Sequence, residues 1–259
     1  MDTKSLYEAY KTKMQKIADV KYASAVLQWD QETYLPPKGN ETRGRQIATL
    51  SEIAHNLFTD EKLCQLLLEL LGKDGLSMNE KRNVELTFED YTKNKKLPVA
   101  FVRKMSETVN KSFYAWIQSR KENSFAVFRE PLDEVIHLKK QEAEYIGYEK
   151  HPYNALMNDY DKGLTVDTVD ALFSALRPQL ISLTEEIAGR TAVDNSFLQG
   201  HFDKAKQWEF GIEILKRMPF DFEAGRQDIS EHPFTINFNS TDVRVTTRID
   251  EKDFANMTW

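Results

Sequence analysis

Cysteine is almost absent from this chain, since Cys64 is the only one among 259 residues. One cysteine excludes a disulfide within the chain and a zinc site built from several cysteines. Long apolar runs are lacking as well, because no stretch approaches the roughly 18 apolar residues of a membrane span. The first residues, Met1-Asp2-Thr3-Lys4, are polar and unlike a signal peptide. We therefore expect a cytoplasmic protein with no membrane partner.

A surplus of basic residues is also lacking. Lys and Arg number 35 against 41 Asp and Glu, which gives a formal net charge of -6. Nucleic-acid binding requires a basic face, so we expect no nucleic-acid partner. Lys93-Asn94-Lys95-Lys96 is the one short basic run. A solvated loop explains this run better than a phosphate-binding patch does.

Several motifs of catalysis are missing from the sequence. No two histidines are three or four residues apart, so no single helix presents a histidine pair to a metal. There is no Walker sequence, no glycine-rich phosphate loop and no Gly-x-Ser-x-Gly nucleophile motif. These signatures of a helical metal site, a phosphate-binding loop and a serine nucleophile are therefore absent from the sequence.

Helical periodicity is what the sequence has in abundance. Apolar residues recur at intervals of three and four from Leu6, and the pattern continues through Trp29 until Pro36-Pro37 breaks it. Similar patterns predict further helices up to residue 215. Boundaries are expected at Gly72, the Ser77 capping box, Pro98, Gly147, Thr165 and Asp203.

Two prolines qualify this helical pattern. Pro178 lies inside an apolar stripe that runs from Val169 through Leu172, Phe173, Leu176, Leu180 and Leu183 to Ile187, and it predicts a kink or break. Pro152 follows His151 and precedes Tyr153. We interpret this tripeptide as a structural turn with Tyr153 packed inward.

The predicted fold is all-α with one small antiparallel β-hairpin near residues 234–249. Thr235-Ile236-Asn237-Phe238 and Val243 to Ile249 alternate apolar and polar side chains, as strands do. Turn-forming residues at 239–242 separate them. We find no repeat and no linker that would divide residues 1–259 into separate domains. Residues 1–75 could pack as a helical sub-bundle.

The second predicted strand carries the first candidate site. Strand alternation places Arg244, Thr246 and Arg248 on one face. Guanidinium groups bind carboxylates through two parallel hydrogen bonds, and a threonine hydroxyl can add another. The three side chains could therefore form an anion-binding row. Spacing alone favours the alternative of a solvent-facing strand whose arginines pair with surface acids.

His232 is the second candidate. The proline after it holds His232 in extended geometry. In this geometry the imidazole could donate a hydrogen bond to a substrate carbonyl or to a transition-state oxyanion. The alternative is a histidine whose ring is bonded to nearby backbone at the entrance of the hairpin.

Several segments follow one another in a specific order. Ala25-Val26-Leu27-Gln28-Trp29-Asp30-Gln31-Glu32-Thr33 comes first, followed by Arg43-Gly44-Arg45-Gln46 and then by His151 to Leu156 with Tyr160 and Gly163. The last are Gly225-Arg226-Gln227-Asp228, His232-Pro233-Phe234 and Asp242 to Thr246. Together they resemble the N-terminal signature, a central segment and two named motifs of the carboxypeptidase Taq family, the thermostable carboxypeptidase 1 type of metallocarboxypeptidase. Gln227 and Asn154 depart from the family pattern.

The resemblance implies a mainly helical peptidase with a long groove and a small sheet. Such enzymes release single residues from peptide C-termini with broad specificity. Their metal is zinc, or cobalt or manganese, and homodimers are usual. A His-Glu-x-x-His helix and a later glutamate hold the metal, and this helix would begin a few residues beyond Trp259. Residues 250–259 look like the approach to it, and residues 1–259 would be one N-terminal portion of a larger catalytic domain. We therefore expect an N-terminal half that alone binds no catalytic metal and is inactive.

The resemblance also implies roles for residues of the hairpin. His232, Arg244 and Thr246 are expected to bind the peptide substrate. Pro233, Phe234, Asp242 and Arg248 are expected to support them, and none of the seven is expected to bind the metal.

Two rival hypotheses remain open. One is a non-catalytic helical protein that binds peptides or partners and lacks the metal site. The other is a related metallopeptidase of the oligoendopeptidase type, which should lack the arginine–threonine hairpin. A non-catalytic protein would close its own core, whereas one half of an enzyme would expose a large apolar face.

Overall fold

The structure is a computed structural model, and it describes residues 2–257. Its helices are α1 (Thr3–Thr33), α2 (Asn40–Phe58), α3 (Glu61–Leu71), α4 (Met78–Asn94), α5 (Val99–Glu122), α6 (Ala126–Ile146), α7 (Tyr153–Met157), α8 (Val166–Ala188) and α9 (Lys204–Arg217). Its strands are β1 (Gly225–Ile229), β2 (Thr235–Asn239) and β3 (Asp242–Thr247). The predicted mainly helical fold with a small hairpin is therefore confirmed. Within residues 2–257, no helix is long and apolar enough to cross a membrane.

Capping chemistry fixes several helix boundaries where the sequence predicts them. Ser77 and Glu80 form both hydrogen bonds of a capping box at the start of α4. The Asp203 side chain accepts a hydrogen bond from the Lys206 N–H at the start of α9. Gly147 follows the last turn of α6 with a φ of 80°, a conformation that glycine adopts without a Cβ penalty.

The described residues divide into two compact units. The first contains residues 2–28 and 36–170, and the second contains residues 29–35 and 171–257. In the first unit, α2 packs on α5, α5 on α6, and α3 on α4. An apolar cluster joins α1 to α3 and α4, and it includes Val84 and Tyr91 beyond residue 75.

The second unit contains the sheet. Its strand order is β1-β3-β2, with β1 parallel and β2 antiparallel to β3. The β2–β3 hairpin agrees with the prediction, and the Thr241 N–H donates to Asn239 Oδ1 within its turn. Strand β1 was not predicted, because its sequence Gly-Arg-Gln-Asp-Ile lacks an apolar alternation. Gln207 of α9 donates to the Phe202 and Asp250 carbonyls, which ties α9 to the segment after β3.

Other sequence predictions need correction. Helix α8 runs through Pro178 without a break. Tyr153 is 56% exposed and not packed inward. Its backbone N–H donates to His151 Nδ1, so the turn is stabilised by this local bond and not by burial of the ring.

The last described residues form a short turn. Phe254–Asn256 forms a 3-10 turn capped by the Asp253 side chain, where the sequence suggests the approach to a longer helix. Thr258 and Trp259, which belong to the same prediction, lie outside the described residues.

None of the α8 side chains is buried. The exposed ones include Leu172, Phe173, Leu176, Leu180, Leu183 and Ile187.

Candidate functional site

The register of the sheet assembles one polar face. Arg226 on β1 lies beside Arg244 on β3, and Asp228 lies beside Thr246. Side chains at paired positions of neighbouring strands point to the same side of a sheet. The four side chains therefore share a face. Gln227 is on the opposite one, beside Val245.

Arg244 is held in place by one acid and two aromatic rings. Its Nε and Nη2 donate to the two Asp242 carboxylate oxygens, each at 3.0 Å. Its guanidinium carbon lies 4.3 Å from the Trp29 ring centroid and 5.3 Å from that of Phe238. These distances allow cation–π attraction, which is worth about 0.5–2 kcal/mol in general. The charge is therefore fixed in position and only partly shielded.

Arg226 has a matching arrangement on β1. Its Nε and Nη2 each donate to a carboxylate oxygen of Asp228 at 2.7 Å. The Asp228 side chain is only 2% exposed, whereas that of Arg226 is 52% exposed. The ion pair raises the pKa of Arg226, so this side chain remains cationic at all ordinary pH values.

Tyr34 completes the coordination of the buried Asp228 carboxylate. The Tyr34 hydroxyl donates to Asp228 Oδ1 and accepts a hydrogen bond from Arg226 Nη2 at 3.2 Å. The hydrogen bond to Asp228 is the main reason why the pKa of Tyr34 lies above its ordinary value. Within residues 2–257, the Tyr34 phenol and the Arg226 guanidinium thus donate all the side-chain hydrogen bonds that the buried Asp228 carboxylate accepts.

Trp29 lies next to both arginines. Its side chain is 7% exposed, and the Arg226 guanidinium carbon is 5.1 Å from its ring centroid. The Trp29 and Tyr34 rings are 5.7 Å apart. Helix α1 ends between these two aromatic residues because Pro36 and Pro37 follow and cannot supply helical donors. The end of α1 thus presents two aromatic rings to the sheet within one unit.

The Thr246 hydroxyl has an internal role. Thr246 is fully buried, and its Oγ1 donates to the Phe234 carbonyl at 3.1 Å. The same oxygen accepts hydrogen bonds from the Phe234 N–H at 2.8 Å and from Ser230 Oγ at 2.7 Å. These bonds fix the backbone before β2 against β3. The hydroxyl does not lie on an open surface with the Arg244 guanidinium.

The other predicted site residues lie around this core. His232 is exposed in the loop between β1 and β2, where its carbonyl lies 2.9 Å from Ser230 Oγ. Pro233 and Phe234 are half-buried and lead into β2. Arg248 is half-buried just after β3. The structure therefore brings Arg244 together with Asp242, and Thr246 together with Phe234, on neighbouring parts of one hairpin.

Four residues of this site were not predicted from the sequence, namely Trp29, Tyr34, Arg226 and Asp228. One signal for the strand residues was present in the sequence. Arg-x-Asp in β1 reverses the Asp-x-Arg of β3, and the two triplets become neighbours when the strands pair in parallel. No local pattern predicts that the end of α1 reaches this sheet, because that contact spans about two hundred residues of chain.

Glu32 is a further unusual group in the same unit. It lies one turn after Trp29 and is half-buried. Burial alone raises the pKa of its carboxyl from 4.5 to about 7, because removal of water disfavours the charged form. Glu32 therefore titrates near neutral pH.

Side chains that could coordinate a metal ion do not cluster in the described part of the chain. Between residues 2 and 257, no three His, Cys, Asp or Glu side chains come together in a way that could hold a metal ion. The donor set of this part of the chain therefore does not fit a catalytic metal.

Comparison with known proteins places these features in a wider group. The family model described as Carboxypeptidase Taq (M32) metallopeptidase matches residues 9–259. Carboxypeptidase 1 of Bacillus subtilis (strain 168) is 35% identical over 243 residues, which are 93% of this chain and 48% of that protein. The chain thus spans about half the length of the curated relatives it matches.

Solved structures agree with this comparison. "BsuCP Crystal Structure" matches with a TM-score of 0.93 at 33% identity and covers 97% of this chain and 51% of that one. "The Structure of CHT" matches with a TM-score of 0.83 at 53% identity and covers 98% of this chain and 52% of that one.

Proposed function

Because the chain belongs to the carboxypeptidase Taq (M32) family of metallopeptidases, we propose that it forms part of a metal-dependent carboxypeptidase. The complete enzyme would release single amino acids from the C-termini of peptides with broad specificity. Its metal would be zinc, cobalt or manganese, and it would act as a cytoplasmic homodimer. Residues outside this chain would hold the metal, and the chain alone would be inactive.

The observation that carries this proposal is the ordered arginine face on the segments that resemble the family motifs. Arg244 is fixed by Asp242 and stacks on Trp29, so its guanidinium is oriented before any ligand arrives. A preorganised guanidinium loses little freedom when it binds a carboxylate or a peptide carbonyl. We assign Arg244 and the exposed His232 to substrate contact.

The other predicted residues of the hairpin would have a supporting role. Thr246 positions Phe234 and the loop that carries His232, since its hydroxyl bonds to both the N–H and the carbonyl of Phe234. Asp242 orients Arg244, while Pro233 and Arg248 shape the two ends of the hairpin. Thr246 therefore acts on substrate binding through the loop.

A chimera tests the proposal. Residues 1–257 of this chain would replace the matching half of the Bacillus subtilis carboxypeptidase 1, and release of free amino acids from N-blocked dipeptides would be measured with added zinc, cobalt or manganese. We expect metal-dependent release by the chimera and none by the chain alone. A folded, monodisperse chimera without activity, or activity of the chain alone, would contradict the proposal.

A second candidate is a non-catalytic helical protein that binds a partner. The exposed apolar side chains of α8, such as Phe173 and Leu180, favour this alternative because a surface of this kind commonly marks an interaction site. The same face is also expected where another part of a larger enzyme packs. An active chimera would decide for the enzyme.

A further inference from the structure

The two arginines of the polar face are lateral neighbours. Arg226 and Arg244 occupy paired positions on parallel strands, and both guanidinium carbons lie within 5.1 Å of the Trp29 ring centroid. Like charges directly opposite each other destabilise a sheet unless other groups compensate them. Here each arginine has its own carboxylate, Asp228 or Asp242, and they share one aromatic ring.

Both carboxylates bind the same edge of their arginine. Each acid accepts hydrogen bonds from Nε and Nη2. Within residues 2–257, both arginines donate through Nε and Nη2, and neither donates through Nη1. Since a guanidinium carries five N–H donors, each arginine retains donors on its outer edge. Asp228 accepts from Arg226 only through Nε and Nη2, so it leaves the Nη1 donors of Arg226 without an acceptor on the protein.

The exposure of the pair suits a ligand that approaches from one side. The Arg226 side chain is 52% exposed and that of Arg244 is 17% exposed. Trp29 covers both guanidiniums with an aromatic surface, which keeps water from that side. A planar carboxylate offers two acceptor oxygens that match the remaining donors.

We propose that Arg226 and Arg244 together bind one carboxylate of an extended peptide, either its C-terminal group or an Asp or Glu side chain. Arg226 is thereby a substrate-binding residue in addition to Arg244. This inference rests on the proposed function, since it supplies a binding group for the same peptide substrate. The anion-binding row predicted along β3 included Thr246, which is buried. The proposed carboxylate site is instead the pair of Arg226 on β1 and Arg244 on β3.

Peptide binding to the full chain tests the pair by calorimetry. Three acetylated tripeptides serve as probes: Ala-Ala-Ala with a free C-terminus, Ala-Glu-Ala-amide and Ala-Gln-Ala-amide. We expect at least one of the two carboxylate peptides to bind about tenfold more tightly than the Gln peptide, as one charged hydrogen-bonded contact would give. The carboxylate peptide that binds identifies the source of the carboxylate. Equal binding of all three, or no binding at millimolar concentration, would overturn the proposal.

Substitutions assign the effect to Arg226. Arg226→Gln should weaken binding of the carboxylate peptide about tenfold. Arg217→Gln on α9 removes the same charge from the same unit, at a side chain that is 74% exposed, and should change binding by less than about twofold. Equal effects of the two substitutions would mean that only net charge matters, which contradicts the pair.

A conservative variant separates binding from folding. Arg226→Lys keeps a cation beside Asp228 but has no planar fork, so we expect a loss of about fivefold or more in carboxylate binding with an unchanged circular dichroism spectrum. If Arg226→Lys binds the carboxylate peptide as tightly as the unsubstituted chain does, the proposed arginine pair is wrong. If Arg226→Gln does not fold, Arg226→Lys alone tests the pair. Because these measurements need no catalysis, an inactive chimera with intact carboxylate binding would refute only the enzyme proposal.

Discussion

Gln227 should destabilise the second unit, and its replacement should therefore raise stability. The side chain is 5% exposed on β1, and neither its Oε1 nor its Nε2 has a hydrogen-bond partner in the described residues. A buried polar group without a partner costs about 1–3 kcal/mol. Asn154, the other departure from the family pattern, differs because its amide donates to the Glu149 carbonyl and accepts from the Val166 N–H.

Gln227→Met tests this reasoning most cleanly, because methionine has a similar length and flexible, apolar atoms. We expect a gain of about 1–3 kcal/mol in the free energy of unfolding. For a chain of this size, that corresponds to roughly 2–4 °C in the melting temperature per kcal/mol. Urea denaturation followed by tryptophan fluorescence gives the free energy, provided that the slope is the same in both proteins.

A matched control is available in the same unit. Gln179 is exposed on α8, so Gln179→Met should change stability by less than about 0.5 kcal/mol. If Gln227→Met is neutral or destabilising while the control behaves as expected, the amide is satisfied in solution by a water or by a rearranged neighbour. The assignment of Gln227 as a destabilising residue would then be wrong.

Three further predictions concern the same unit. Gly225→Ala should lower the free energy of unfolding by about 1–3 kcal/mol, because the new Cβ would lie 2.7 Å from the Val243 carbonyl oxygen. Urea denaturation measures this loss, and an unchanged midpoint would show that β1 can shift to make room. Thr246→Val should cost about 1–3 kcal/mol in the same assay, since the half-buried Phe234 N–H loses its side-chain acceptor. A cost below about 0.5 kcal/mol would argue against the observed bonds. Glu32 has a folded-state pKa of about 7, above its unfolded value, so the folded state binds the extra proton and stability should fall as pH rises from about 4.5 to 7. Glu32→Gln should remove this slope, and parallel pH profiles of the two proteins would contradict it.

Local chemistry made much of the helical part predictable from the sequence. Ser77 with Glu80, Asp203 and Gly147 act through bonds to residues within one turn, so their spacing alone predicts the helix ends. The alternation from Val243 likewise predicts which side chains of β3 share a face. These elements depend on neighbours in the sequence.

The candidate site was less predictable because its contacts are distant in the sequence. Strand β1 pairs in parallel with β3, and such pairing leaves no hairpin signal. The burial of Thr246 depends on Ser230 and Phe234, which lie 16 and 12 residues away. The contact of Trp29 with Arg244 joins the end of the first helix to the last strand. The sequence could name Arg244 and its supporting residue Asp242, but no local pattern predicts that Arg244 contacts Trp29.

The central claim is that this face binds the peptide substrate of a carboxypeptidase. Its most direct test is kcat/KM of the chimera for an N-blocked dipeptide, compared with the same chimera carrying Arg244→Gln. We predict a loss of about tenfold or more, as expected for a charged contact to the substrate. Arg217→Gln should leave kcat/KM within about twofold, because this exposed arginine lies outside the face. Equal kcat/KM for Arg244→Gln and the unsubstituted chimera would contradict the claim.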